Sequence, residues 1–471
     1  MRVPENIGVG KAQVVAEFAA WKEAAVASTK SELVVAYSRQ RDLKLEPVSA
    51  RLRARLPHAN PGSGLESVRF SPDGKRILAA DYPGGVVQVW DALTRKQLTR
   101  IETGYGYRGD TYYVFLSPDW KTMYVSPNEP KSRSFELIEK EGKRLMRWTF
   151  RGKIHAWDLS TGEIKATFKH TPERQVVTMA VSPDASFIVS AERLPGEVER
   201  DVPTAISIWE TRTGRVRSLP DGLGLGATFA PDSRSFAMAR RDNLGYTTAI
   251  EVLDVALLKT KLSIPVAERW TRAYPSAFSP DGKVLIGRAQ TFPARGVFND
   301  SQSSLKFWDA STGRELASDP APHKNAHFLA YLAKFSRDGR IAGIVYTYGD
   351  PFQSQVRLYE VHTGKLLRTI DRPGEMLGIP AFSPDDKWLA VPSSAPRKRG
   401  TSDEFSVLDE PQPRIHLIEA ATGRIVETFI TPQGLVGSAC FSPDGKTLAT
   451  TGYGEVLLWD MTRPPGAGSA K

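Results

Sequence analysis

Residues 441–445 read Phe-Ser-Pro-Asp-Gly, and residues 446–460 continue Lys-Thr-Leu-Ala-Thr-Thr-Gly-Tyr-Gly-Glu-Val-Leu-Leu-Trp-Asp. Ser-Pro-Asp-Gly matches a type I turn, because Pro presets the backbone at the second position and Gly suits the last. Polar and apolar residues alternate from Lys446 to Thr450, which indicates a half-buried strand. The residues that lead to Trp459 favour a second strand. The stretch therefore predicts strand, tight turn, strand, glycine turn and strand.

The same phrase recurs along the chain. Its turn starts at an apolar residue, and these residues are Phe70, Leu116, Val181, Phe229, Phe278, Phe335, Phe382 and Phe441. Each turn is followed by a strand end that precedes Asp or Glu, at Trp90, Trp157, Trp209, Leu253, Trp308, Tyr359, Ile418 and Trp459. Five Thr-Gly pairs then mark a turn into a fourth strand, at 161–162, 213–214, 312–313, 363–364 and 422–423. Each unit therefore predicts a four-stranded antiparallel sheet.

These repeats resemble the WD-repeat family, which is named for the Trp-Asp pair that ends the third strand. The resemblance covers residues from about 50 to 463 and implies an all-β propeller of eight four-stranded blades around a central channel. The Gly-His pair before each first strand and the Asp before each third strand are mostly missing. We therefore expect the family's buried His–Asp–Ser–Trp hydrogen-bond network to be absent from most blades. The Phe-Ser-Pro-Asp-Gly form resembles propellers that are common in bacterial proteins.

The two ends of the repeat region complement each other. The last repeat lacks a fourth strand after Asp460, whereas residues 50–57 alternate basic and apolar before the first repeat. We expect residues 50–57 to supply the missing strand and close the ring, which removes exposed sheet edges. Within residues 10–28 the apolar residues recur at helical spacing, which predicts one short amphipathic helix. The predicted organisation is an N-terminal extension (1–49), a propeller (50–463) and a flexible tail (464–471). Apolar stretches between residues 33 and 46 leave open a degenerate additional blade.

Composition narrows the class of protein. The 471 residues are 41% hydrophobic and carry a formal net charge of +10 with both signs interspersed, which favours an ordinary surface over a nucleic-acid surface. The single cysteine, Cys440, excludes an intramolecular disulfide and is expected to be a small buried residue. No long apolar run predicts a membrane span or a signal peptide, so we expect a cytoplasmic protein.

The repeats differ in the connection between their second and third strands. Asp119 and Trp157 are 38 positions apart, against 15 for Asp444 and Trp459. Repeats 2, 3, 5 and 7 carry the longest connections. Equivalent loops of a propeller emerge at one end of the ring, and such insertions often form the binding face.

Two of these insertions hold the candidate partner-binding residues. Basic residues interleaved with an aromatic residue can bind an acidic partner or a single-stranded nucleic acid. The candidates are Arg144, Arg147 and Trp148 in repeat 2 and Arg397, Lys398 and Arg399 in repeat 7. We expect the repeat 2 insertion to be a solvated loop or a short surface helix. The glycine-rich residues 222–226 are expected to be a flexible connection between blades.

No motif indicates catalysis, a cofactor or a metal. The seven histidines are scattered, and no Gly-x-Ser-x-Gly sequence occurs. The leading hypothesis is a monomeric, non-enzymatic scaffold without a cofactor that binds a protein partner through its loop-rich face. The alternative is a lactonase-like hydrolase with its site at the channel mouth, which requires ionisable side chains converging from several blades. A third hypothesis, nucleic-acid binding through the repeat 2 insertion, is disfavoured by its glutamates and predicts affinity that falls with salt.

Overall fold

The chain divides into two compact units, residues 1–44 and residues 45–471. The computed structural model describes residues 14–16, 25–27, 48–59, 64–82, 85–103, 114–126, 134–140, 143–149, 153–169, 175–193, 205–219, 222–224, 226–295, 300–324, 326–328, 333–349, 353–394, 413–432, 436–452 and 454–463. These residues contain no helix, and therefore none that is long and apolar enough to span a membrane.

The described residues of the first unit form a small antiparallel pair. Strand β1 (Val14–Ala16) pairs with β2 (Ala25–Ala27), and Val15 lies opposite Val26. The predicted helix over residues 10–28 is wrong at these positions, because valine favours an extended backbone and each strand satisfies the other's hydrogen bonds. The rest of the predicted helix and the apolar stretches at 33–46 lie outside the described residues.

The second unit is a ring of eight four-stranded antiparallel blades, which confirms the predicted fold. The strands of the first four blades are β4 (Gly64–Phe70), β5 (Arg76–Tyr82), β6 (Val86–Asp91) and β7 (Gln97–Glu102); β8 (Phe115–Leu116), β9 (Thr122–Val125), β12 (Ile154–Asp158) and β13 (Ile164–Phe168); β14 (Gln175–Val181), β15 (Phe187–Arg193), β16 (Ala205–Glu210) and β17 (Val216–Ser218); and β18 (Thr228–Phe229), β19 (Ser235–Arg241), β20 (Thr247–Asp254) and β21 (Thr260–Pro265). A hairpin of β10 (Ser134–Lys140) and β11 (Lys143–Thr149) is inserted in blade 2.

The first strand is split in two in blades 6 and 7. The strands of the last four blades are β22 (Thr271–Phe278), β23 (Val284–Thr291), β24 (Gln302–Asp309) and β25 (Glu315–Pro320); β26 (His327–Phe328) with β27 (Lys334–Phe335), β28 (Ile341–Tyr348), β29 (Gln353–Glu360) and β30 (Leu366–Asp371); β31 (Met376–Leu377) with β32 (Ala381–Phe382), β33 (Trp388–Ser394), β34 (Arg414–Glu419) and β35 (Ile425–Ile430); and β36 (Ala439–Phe441), β37 (Thr447–Thr451), β38 (Glu455–Asp460) and β3 (Leu52–Pro57).

The Ser-Pro-Asp-Gly turns are held by local hydrogen bonds. In blade 1 the Ser71 hydroxyl donates to Asp73 Oδ1 at 2.5 Å, and the Arg76 N–H donates to Ser71 Oγ at 2.8 Å. The same pair of bonds recurs at Ser117, Ser182, Ser279, Ser336, Ser383 and Ser442. Because each serine bonds within five residues of itself, the turn forms wherever the phrase occurs.

The acidic residue after each Trp also has a structural role. Asp309 Oδ1 accepts hydrogen bonds from the N–H groups of Ser311 and Thr312 at 3.0 and 2.8 Å. The Ser311 hydroxyl also donates to Asp309 Oδ1 at 2.6 Å, and this bond together with the N–H groups holds the pKa of Asp309 far below its usual range. This arrangement agrees with the repetition around the ring, since a group that recurs in successive blades serves folding rather than a single site.

Apolar contacts between neighbouring blades form the core. Trp90 of blade 1 is 2% exposed and clusters with Val68 of its own blade and with Leu56 and Leu458 of blade 8. The first strands of successive blades, such as β18 and β22, contact each other. The first strands are therefore innermost and line the central channel.

The N-terminal strand closes the ring, as the sequence predicts. Strand β3 pairs with β38, and Leu56 lies opposite Val456. Arg51 adds a second connection, because its guanidinium donates to both carboxylate oxygens of Glu427 in blade 7, at 2.6 and 2.7 Å. The same guanidinium donates to the backbone carbonyl oxygens of Asp460 and Arg463 at 3.0 and 3.1 Å. One buried side chain thus joins blade 7 to both chain segments that complete blade 8.

Candidate interaction site

The two ends of the ring differ in their connections. At one end the first and second strands meet in Ser-Pro-Asp-Gly turns, and the third and fourth strands meet in short turns; we call this the turn end. At the other end lie the connections between second and third strands and between blades; we call this the loop-rich end. Antiparallel order within each blade requires this separation, so every long insertion emerges at the loop-rich end.

The blade 2 insertion is a β-hairpin rather than the predicted loop or short helix. Its register places Trp148 opposite Phe135, Arg147 opposite Glu136 and Arg144 opposite Glu139. The sequence thus places an aromatic residue opposite an aromatic residue and opposite charges across from each other, a pattern that favours an antiparallel ladder.

The pairing also bears on the nucleic-acid hypothesis, because each of these two arginines is matched in register with a glutamate. The hairpin therefore presents mixed charge rather than a basic stripe. The other candidates, Arg397, Lys398 and Arg399, lie outside the described residues.

Aromatic side chains stack at the loop-rich end of blade 6. The exposed ring of His323 lies parallel to Tyr348, with centroids 4.2 Å apart and planes 5° apart. His323 Nδ1 also lies 3.0 Å from the hydroxyl oxygen of Tyr346. Below them the Tyr359 hydroxyl and Arg357 Nη1 both donate to Asp319 Oδ2, at 2.5 and 2.8 Å. The sequence analysis missed this cluster, because its members come from two blades.

The channel wall carries positive charge. Among the innermost-strand residues whose side chains the structure describes, none is Asp or Glu, whereas Arg69, Arg272 and Lys334 are basic. Arg69 and Lys334 are exposed to solvent. The channel wall around Lys334 nevertheless removes part of its hydration, which lowers its pKa, and the charge of Arg69 lowers it further. An anion in the channel would relieve this repulsion.

Cys440 also lies on an innermost strand and is half-buried rather than buried. Burial raises the pKa of its thiol, and the charges of Lys334 and Arg69 offset only part of this rise. The thiol is therefore protonated at neutral pH, which makes it a weak nucleophile.

One buried cluster in blade 7 contains the residue types of a hydrolase triad. His416 Nε2 lies 2.7 Å from Glu375 Oε2, and the Ser393 hydroxyl donates to the same oxygen. Burial alone would raise the pKa of Glu375, but the hydrogen bonds from His416 and Ser393 outweigh it and lower the pKa to about 2.

In a nucleophilic triad the serine donates to the histidine, whereas Ser393 donates to the carboxylate. Ser393 and His416 are 2% and 1% exposed. The cluster is therefore a structural network that links the segment before the first strand of blade 7 to its second and third strands.

Related networks occur in two other blades. Trp209 Nε1 donates to Ser190 Oγ at 2.8 Å, and Ser190 donates to Glu192 at 2.6 Å. Trp459 Nε1 donates to Thr450 Oγ1 at 2.9 Å. These bonds reproduce the Trp–hydroxyl part of the network that the family resemblance implies.

The turn end offers a different kind of surface. Blades 4 and 5 enclose an open cavity of about 630 Å³ there, lined by Pro231, Asp232, Lys261, Leu262, Asp281 and Ser311 among others. Across the described residues, no group of three or more His, Cys, Asp and Glu side chains is placed to hold a metal ion.

The last repeat decides the family. Residues 423–460 match the family model "WD domain, G-beta repeat", and this repeat is one of eight equivalent blades in the ring. The chain belongs to the WD-repeat β-propeller family. The match falls on the residues where the turn phrase and the Trp-Asp pair are most complete.

Two curated relatives share part of this WD-repeat chain. Apoptotic protease-activating factor 1 of Rattus norvegicus is 24% identical over 257 residues, which cover 53% of this chain and 16% of that protein. The Mus musculus protein of the same name is 27% identical over 122 residues, which cover 26% of this chain and 7% of that protein. The chain thus matches only a small part of either relative. Both are animal proteins, so the bacterial assignment stays a prediction.

A solved structure shows the same fold. The computationally designed Ika8 protein is 16% identical and superposes with a TM-score of 0.53. The superposition covers 86% of this chain and 99% of the designed one.

Proposed function

We propose that this WD-repeat propeller is a non-enzymatic scaffold that binds a protein partner at its loop-rich end. The observation that carries the proposal is the separation of the connections between strands. Every long insertion emerges at one end of the ring, whereas the turns at the other end have the same length from blade to blade. A rigid ring that presents variable loops on one face is suited to recognition. The described hairpin of blade 2 shows that at least one insertion is itself ordered into strands.

The aromatic stack at blade 6 supports the same face. His323 and Tyr348 present rings at the loop-rich end, and aromatic side chains are enriched in the binding cores of protein interfaces. The relatives are named for activating a protease, which is an action on another protein. A cytoplasmic location, a monomeric state and the six candidate contact residues (Arg144, Arg147, Trp148, Arg397, Lys398 and Arg399) are parts of this proposal.

The test compares two variants that alter opposite ends of the ring. In the first, residues 128–152 and 395–412 are replaced by short glycine-containing turns. In the second, three exposed lysines of the turn end are reversed in charge, by Lys121→Glu, Lys283→Glu and Lys387→Glu. Both should retain the far-ultraviolet circular dichroism of the parent, since neither change touches the blade cores.

Affinity capture should then show partner proteins that the parent and the turn-end variant retain and the loop-shortened variant loses. Capture that survives loop shortening but is lost by the turn-end variant would overturn the proposal and place binding at the opposite end. Capture of the same proteins by all three would also overturn it.

A further inference from the structure

Arg241 is a buried cation without an anionic partner. It ends strand β19 of blade 4, and the residue is 6% exposed. Its Nε and Nη2 atoms are buried and make no hydrogen bond. The preceding residue, Arg240, is instead neutralised, because its Nε donates to Glu251 at 2.9 Å. A buried charge is costly unless it is paired, so Arg241 requires an explanation that Arg240 does not.

The surrounding chain makes room for this guanidinium. A Cβ atom on Gly224 would lie 2.6 Å from both Cδ and Nε of Arg241, so only glycine fits there. Within the glycine-rich segment, the described residues 222–224 are held by hydrogen bonds to strand β19. Gly224 donates its N–H to the Ala239 carbonyl at 2.7 Å, and the Arg241 N–H donates to the Gly222 carbonyl at 2.6 Å.

A second cation shares the aromatic neighbour of Arg241. The Arg241 Cζ atom lies 5.1 Å from the ring centroid of Tyr274 in blade 5, and the Arg288 Cζ atom lies 4.8 Å from the same centroid. Arg288 lies opposite Tyr274 in the β22–β23 register, and both residues are half-buried. In the described part of the chain, neither arginine forms an ion pair with a carboxylate.

The acidic side chains of blade 4 and of the connection to blade 5 have other partners. Asp242, the residue after Arg241, accepts from the N–H groups of Leu244 and Tyr246 at 2.9 Å. Glu251 accepts from Arg240, and Glu268 accepts from Lys306 at 3.2 Å. Tyr274 lies on an innermost strand. The side chains that the structure describes on the innermost strands include basic residues but no acidic ones. Two guanidinium groups therefore lie against one ring, and no carboxylate among the described residues pairs with either of them.

We infer that Arg241, Tyr274 and Arg288 form an oxyanion-binding site on the channel wall between blades 4 and 5, which takes a carboxylate or phosphate group of an acidic peptide segment. A guanidinium presents a planar fork of donors that matches either oxyanion. The tyrosine ring lies against both cations by cation–π contact and holds them in place. The peptide occupant rests on the proposed function; the oxyanion chemistry does not.

The test measures binding of defined probes to the full chain by titration calorimetry at low salt. The probes are inorganic phosphate, a hexaglutamate peptide and an uncharged hexaglutamine peptide. The site predicts binding of hexaglutamate, of phosphate or of both, and none of hexaglutamine. Hexaglutamate alone identifies a carboxylate source and phosphate alone a phosphate source, whereas binding of neither probe overturns the inference.

Substitutions place the binding at these residues. Arg241→Met and Arg288→Met should each weaken the bound probe at least tenfold. Arg212→Met removes the same charge from the turn end, where the side chain is 84% exposed, and should change affinity less than twofold. Equal weakening by all three substitutions would indicate a nonspecific charge effect and overturn the site.

Melting temperature separates a binding role from a structural one. Without ligand, Arg241→Met should raise the melting temperature, because it removes an unpaired buried charge and keeps an apolar side chain against Tyr274. A lowered melting temperature with unchanged probe binding would show that Arg241 serves packing alone. If Arg241→Met does not fold, the half-buried Arg288→Met decides by the same affinity criterion. If the parent chain binds neither probe while loop-dependent capture is intact, this inference is refuted and the proposed function stands.

Discussion

Replacing Arg51 by methionine should destabilise the propeller far more than the same change at its neighbour on the closing strand. Arg51 is 7% exposed, and its guanidinium makes two hydrogen bonds to Glu427 and two to backbone carbonyls. It also lies over the ring of Phe429, 5.6 Å from the centroid. The substitution keeps an apolar stem at position 51, but it leaves the carboxylate of Glu427 without its cation. The Glu427 side chain is only 19% exposed.

Removing one partner of a buried ion pair lowers the free energy of unfolding by about 3–5 kcal/mol, because the other charge stays buried without a partner. Because Glu427 retains some access to water, we expect the lower value, about 3 kcal/mol. Arg53 provides the matched control, since it pairs with Asp460 but its side chain is 48% exposed. Arg53→Met should therefore cost less than about 1 kcal/mol.

Denaturant unfolding of five chains measures these values: the parent, Arg51→Met, Arg53→Met, Glu427→Met and the double variant of Arg51 and Glu427. The double variant should recover more than about 1 kcal/mol relative to the sum of the single changes, because it leaves no stranded charge. Equal costs for Arg51→Met and Arg53→Met, or additive single changes, would refute the view that a buried ion pair fastens the ring.

The Glu375 network makes stability depend on pH. Its folded pKa of about 2 lies below the ordinary value of 4.5, so its stabilisation is complete above pH 4.5 and is lost as pH falls toward 2. Parent and Glu375→Gln should therefore differ by about 2–3 kcal/mol less at pH 2 than at pH 6 in denaturant unfolding, and a constant difference would contradict this pairing. Packing gives another prediction: a Cβ at Gly287 would lie 2.6 Å from the Tyr274 carbonyl oxygen and 2.8 Å from Trp308. Gly287→Ala should cost about 1–3 kcal/mol. In the second strand of blade 6 the nearest atom to a Cβ at Gly343 would be 3.3 Å away, so Gly343→Ala should cost less; the reverse order in thermal unfolding would show that the close approach is not limiting.

The blade count was predictable because the signals that specify a blade are local. Ser71, Asp73 and Arg76 form their hydrogen bonds within one turn, so the same residues give the same turn in each blade. The closing strand was predictable because the last repeat lacked a fourth strand, while residues 50–57 had the pattern of a strand that belonged to no repeat.

The inserted hairpin was not predictable from periodicity. Adjacent apolar residues at Leu137-Ile138 and Leu145-Met146 interrupt the alternation of both strands, and the matching of residues becomes visible only from the register across the hairpin. At residues 14–16 and 25–27 the predicted N-terminal helix failed for a related reason, because helical spacing of apolar residues does not exclude strands as short as β1 and β2.

The arginine site between blades 4 and 5 depends on contacts that sequence spacing does not reveal. Arg241 meets Tyr274 only because neighbouring blades pack, and Arg288 meets it only through the strand register. The one sequence signal was the glycine-rich segment, whose Gly224 has no side chain to displace Arg241.

The central claim is that a partner occupies the loop-rich end of the ring. Hydrogen–deuterium exchange of the full chain, with and without a captured partner, tests it most directly. The account predicts that the partner slows exchange in the blade 2 hairpin (134–149) and around His323, while the turns at 71–76 and 442–447 are unchanged. Protection confined to those turns, with the hairpin and His323 unaffected, would contradict it.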